Sequence, residues 1–106
     1  MTPKCNTPEE METMRRWLHR ACALFDVDPD IIDELESDLL AMAGHTAHEL
    51  SRPGTPLTAF LVGMGVGGTA TCDEGDREER NARIVAKTRE LIARVRSVSG
   101  EDIAQA

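Results

Sequence analysis

A chain of 106 residues, 41% hydrophobic and 29% charged, has globular composition and room for one domain, not two with adequate cores. Its formal net charge of −7 gives the wrong sign of field for the phosphate backbone of nucleic acid or for an anionic membrane surface. One Trp, two Phe and no Tyr, among many Ala, Leu, Met, Glu and Arg residues, favour helix over sheet.

The opening residues, MTPKCNTPEE, lack the apolar core of a signal peptide, and the longest uncharged apolar run falls well short of a bilayer span. Cys5, Cys22 and Cys72 are odd in number, widely spaced and form no CxxC pair. Free thiols in a reducing compartment are the simplest reading, which predicts a cytoplasmic protein.

Residues 1–6 read as a polar lead. Thr7-Pro8-Glu9-Glu10 combines an N-cap, a proline at the first helical position and a Glu three after the cap. Met11, Met14, Leu18, Ala21, Cys22 and Phe25 follow at helical spacing, predicting a first helix over about 8–25, with Trp17 beside the stripe. Asp28-Pro29-Asp30 repeats the start signal. Ile32, Leu35, Leu39, Met42, Ala43, Thr46 and Leu50 predict a second helix over about 29–51. Its far face passes from acidic (Asp33, Glu34, Ser37, Asp38) to small or special (Ala41, Gly44, His45, His48), which predicts close packing of another helix there.

Arg52-Pro53-Gly54 stops that helix, and Thr55-Pro56 reads as the cap and first residue of a third. No charged residue occurs from Pro53 to Cys72. Leu57 to about Gly67 is apolar all round, which predicts a buried helix. Ala59, Gly63 and Gly67 give it one smooth side for another backbone. A polar loop from Thr69 to Asp76 precedes a fourth helix over about 77–98, whose Ile84, Val85, Thr88, Leu91, Ile92, Val95 and Val98 face the core. Ser99-Gly100 ends it, and residues 99–106 are expected to be flexible, like 1–6. The predicted fold is all-α: one domain over 1–106, a small four-helix bundle with a short buried central helix.

Asp26, Asp28 and Asp30 are not a calcium loop, because its sixth and twelfth positions hold Ile31 and Ser37 instead of Gly and Glu. His45, His48 and Glu49 share one side of a helix at ligand spacing, yet the chain offers no clear further zinc ligand. Backbone hydrogen bonding by these histidines is the competing reading. His48 and Arg52 lie opposite the main stripe and just before a helix start bearing Thr55 and Thr58. With His45 they outline a pocket for an anion or carboxylate, unless Arg52 holds helix-end carbonyls or pairs with a neighbouring acid. Seven of the twelve basic residues lie on the fourth helix; they either pair with the acidic start of the second or form a docking face for an acidic partner or nucleotide. No GxSxG, P-loop, GxGxxG or two-metal carboxylate set occurs, and Cys72 beside Asp73 and Glu74 makes a poor thiolate. A non-catalytic role with no metal or cofactor is therefore favoured.

The run from Ala47 to Gly63, AHELSRPGTPLTAFLVG, resembles a small actinobacterial domain of unknown function marked by an AH-x-x-x-RP-x-x-PLT-x-FL-x-G segment. The likeness covers roughly residues 10–70, and Gly54-Thr55 stands where that family tends to carry Ala-Ala. In that family the domain occurs alone or appended to molybdenum cofactor guanylyltransferase, and no catalytic residue is assigned to it. The resemblance implies an accessory domain in molybdopterin-guanine dinucleotide biosynthesis, whose partner is the guanylyltransferase or an anionic pterin. Two alternatives stand beside it. One is a helical protein–protein interaction module, as a homodimer; the other is a small metal-dependent enzyme using His45, His48 and Glu49.

Overall fold

The computed structural model describes residues 7–69 and 76–104, and is all-α throughout them. The expected polar lead, the loop at 70–75 and both Cys5 and Cys72 lie outside the described residues. Five α-helices follow in order: α1 (Pro8–Leu24), α2 (Pro29–His45), α3 (Thr55–Thr69), α4 (Arg77–Arg96) and α5 (Gly100–Ala104). A single π-helical turn, Thr46–Leu50, continues α2. The backbone forms two compact units, Met1–Asp33 and Glu34–Ala106.

In the first unit, Thr7 caps α1 as its sequence requires: its hydroxyl accepts the Glu10 amide at 3.1 Å. The helix ends in a Schellman arrangement, with the Val27 amide on the Cys22 carbonyl at 2.8 Å and Asp26 at φ 57°. Phe25, expected on the buried stripe, is instead the C-cap and 76% exposed, because the chain leaves the helix one residue before it. Trp17 is also largely exposed. Cys22 is the buried member of the stripe, while Met11, Met14 and Leu18 are half-buried. Burial first, then the negative charges of Asp33 and Asp28, push the Cys22 thiol up and keep it protonated. Asp28 caps α2, accepting the Asp30 amide at 3.1 Å. Ile31 is buried and Ile32 only half-buried, so this helix enters one position out of the predicted phase. His19 Nε2 meets Asp33 Oδ1 at 2.7 Å.

In the second unit the core gathers Met42 of α2, Val62 of α3 and Ile92 of α4, with Leu39, Val66, Leu91 and Val95 packed against them. The predicted stripes of α2 and α4 supply nearly all of it. Asp76 starts α4 by accepting the Glu79 amide at 2.8 Å. Two buried threonines satisfy their hydroxyls on the preceding turn: Thr88 donates to the Ile84 carbonyl at 2.7 Å and Thr46 to the Met42 carbonyl at 2.8 Å.

Three expectations are corrected here. Helix α3 is not buried: Val62 is its one buried side chain among those described, whereas Leu57, Phe60, Leu61 and Met64 are 66, 64, 64 and 59% exposed. An apolar circumference does not select a face; packing on α4 does, and it takes one side only. The close approach expected at Gly44, Gly63 and Gly67 is absent, since a Cβ at any of them meets nothing within 4 Å. Gly65 is the tight position, 2.8 Å from Leu91 Cδ1 by the same measure. Finally, Ser99-Gly100 does not end the helical chain. Ser99 caps α5, its amide and hydroxyl donating to Asp102 Oδ2 at 2.7 and 3.1 Å, a capping box with Asp in the acidic place. Those bonds, the backbone one foremost, hold the Asp102 carboxyl below its ordinary range.

Candidate functional site

The candidate residues lie around the corner between α2 and α3. There the backbone departs from α geometry: the Ser51 amide bonds the Thr46 carbonyl, five residues back, at 2.7 Å. One extra residue in that turn resets the helical phase, so His48 and Glu49 project into solvent while Thr46 stays in the core. A bend and turn over 52–54 then leads into α3.

The structure sorts the five sequence candidates into three places. His45, the last residue of α2, is half-buried and points its Nε2 at the Val98 carbonyl oxygen, 2.9 Å away. That is the backbone-bonding role set against ligand chemistry for it. Thr58 is half-buried and faces α4, where it edges a groove of about 240 Å³ formed with Leu61, Gly65, Leu91 and Arg94. His48, Arg52 and Thr55 remain at the corner. The Thr55 hydroxyl donates to the Ser51 carbonyl at 3.4 Å, and Thr55 is itself the first residue of α3. Ser51 takes the role foreseen for Thr55: its hydroxyl accepts the Gly54 amide at 3.2 Å. An S-x-x-G spacing into a proline-marked helix start was the available signal for it.

This local bonding limits what the start of α3 offers an anion. Pro56 has no N–H, and the amides of Gly54, Thr55 and Thr58 are bonded to Ser51, Arg52 and Gly54. Side chains must supply most of the recognition. His48 and Arg52 are exposed, and neither side chain makes a hydrogen bond or ion pair with a described residue. Arg52 thus neither holds the terminal carbonyls of α2 nor pairs with a nearby described acid. The contrast with α4 is sharp. There Arg89 reaches Asp38 at 3.1 Å and Glu34 at 3.7 Å, while Lys87 and Arg94 share Glu90 at 2.9 and 3.0 Å. The hydrogen bond and charge of Lys87, with Arg94, lower the Glu90 pKa. For Arg89, pairing with the acidic face of α2 is the observed outcome.

Among the described residues, no three His, Cys, Asp or Glu side chains gather where one metal ion would bind them, so His45, His48 and Glu49 do not form a ligand set. The larger surface depression, about 360 Å³, follows one face of α1 and collects no second element. No helix among the described residues is long and apolar enough to cross a membrane.

Fold and corner together define an all-α domain with an exposed, charge-bearing turn rather than an enclosed pocket. Residues 9–100 match the family described as Domain of unknown function (DUF6457), and the chain belongs to that family. The match takes in α4 and the start of α5, beyond the 10–70 stretch on which the sequence resemblance rested. Neither the curated proteins nor the solved structures include a significant match to the chain.

Proposed function

We propose that this protein is a non-catalytic accessory domain of molybdenum cofactor biosynthesis in the actinobacterial cytoplasm. Through the corner at His48 and Arg52 it engages the guanylyltransferase, or the anionic molybdopterin which that enzyme takes. The observation that carries the reading is the pair of exposed side chains at the exit of a π turn, without partners among the described residues. An arginine in this state keeps its forked donors for an external phosphate or carboxylate. A π turn inside a helix is frequently associated with a functional site. The choice of partner rests on the resemblance of the Ala47–Gly63 run to domains found alone or fused to that enzyme.

The test is co-elution of the full chain with the guanylyltransferase, alongside titration with molybdopterin. Binding in either arm, weakened about tenfold by Arg52→Ala and less by His48→Ala, supports the proposal. Both variants should unfold within about 0.5 kcal/mol of the parent, as exposed substitutions do. Absence of binding in both arms overturns it. So does a loss of several kcal/mol in stability, which would make the two residues structural.

A further inference from the structure

We propose that the outward face of α3 is a self-association surface whose occupant is α3 of a second copy of this chain. The proposal uses none of the corner residues and stands apart from the function proposed above. Leu57, Phe60, Leu61 and Met64 fall at i, i+3, i+4 and i+7, so they form one continuous stripe, and all four are exposed. Isolated exposed apolar residues are ordinary; four large ones in register on one helix mark a contact surface. Such a seam is how one helix docks along another.

Charge identifies the occupant. The chain carries −7 overall, so two copies repel over most approaches. The run from Pro53 to Cys72 is free of charge, and the stripe lies inside it. Copies meeting through α3 bring no like charges into the contact, whereas an acidic or basic partner finds nothing there to recognise.

Shape points the same way. A two-fold contact needs a surface that complements itself, with projections and recesses side by side. Leu61 belongs to the exposed stripe and also walls the groove of about 240 Å³, whose other sides include Val62, Gly65, Leu91 and Val95. Phe60, the adjacent projection, is of a size to enter such a groove on a facing copy. On the flank of the stripe, Gly63 and Gly67 have open space where a Cβ would be, so a second backbone meets no side chain of theirs.

The test is the mass of the full chain by light scattering from micromolar to millimolar concentration, at low and high salt. A dimer that tightens as salt rises, and that reverts to monomer in Leu61→Glu or Phe60→Glu, supports the proposal; screening relieves the repulsion outside an uncharged contact. A monomer throughout overturns it, as does a dimer that weakens with salt or ignores both substitutions. Should either glutamate variant lose its helical signal, Met64→Cys in a Cys5→Ser, Cys72→Ser background decides. A disulfide-linked dimer under mild oxidant supports the two-fold contact, and its absence overturns it.

Discussion

His45 and Val98 stand 53 positions apart in sequence, and the imidazole Nε2 of one lies 2.9 Å from the carbonyl oxygen of the other. This bond joins the end of α2 to the segment between α4 and α5. Beside it, a Cβ on Gly100 would come within 3.0 Å of the Glu49 carbonyl oxygen, so the start of α5 lies close on the π turn. His45→Ala should therefore destabilise the chain by about 1–2 kcal/mol, since it leaves a half-buried carbonyl without its donor. Urea unfolding reads the loss, and hydrogen exchange should show it first at the amides of α5. If partner binding fell while stability held, His45 would be a ligand and not a tie.

The glycines of α3 should respond in opposite ways. Gly63 sits within the helix and a Cβ there meets nothing within 4 Å, so Gly63→Ala should stabilise by about 0.5–1 kcal/mol through backbone propensity alone. Gly65→Ala gains the same propensity but places its Cβ 2.8 Å from Leu91 Cδ1. The Leu91 side chain must move against the core formed by Val62 and Ile92, which should cancel the gain or reverse it by about 1 kcal/mol. Paired unfolding curves of the two variants check the difference in sign.

What the sequence disclosed follows the range of each interaction. Thr7, Asp28 and Asp76 cap their helices as read, because each side chain bonds an amide two or three residues away. The α2 and α4 stripes were legible because their polar faces leave one side for the core. In α3 no polar face exists, so periodicity had nothing to choose between, and Gly65 looked no different from Gly63. The π turn and the His45–Val98 bond depend on residues brought together only by folding. Helix α5 was readable in Ser99-x-x-Asp102, but Gly100 in that same run is also a helix-stop signal. At the corner, the spacing of His48 and Arg52 placed both residues on the exposed side, while the bonding by Ser51 that limits the start of α3 was not visible.

Acid should loosen α5 before the core. The Asp102 carboxylate is stabilised by the Ser99 amide first and the Ser99 hydroxyl second, so its folded pKa lies below the unfolded one. For a depressed acid, the stabilisation is fully present above the unfolded value, near 3.8, and is lost as pH falls through the folded value. Following the Ser99 amide resonance by NMR from pH 6 downward, about the neutral side of the carboxylate range, should show the bond release at strongly acid pH. Asp102→Asn should remove that acid step. A Ser99 resonance that ignores pH in the parent would rule out the capping bond in solution.

Two aspartates two residues apart should show effects of opposite sign. Asp26 holds φ 57° at the Schellman position of α1, where an L-residue is strained and glycine is not. Asp26→Gly should therefore stabilise by about 0.5–1 kcal/mol, the relief of left-handed strain exceeding the added freedom of the unfolded chain. Asp28 accepts the Asp30 amide at 3.1 Å as the cap of α2, so Asp28→Ala should destabilise by about 1 kcal/mol. Denaturant midpoints of the two single variants measure both. The two acids act in separate helix ends, so the double variant should lie near the sum. A shared role for Asp26 and Asp28, as in cation binding, predicts instead that either change alone removes most of the effect of the other.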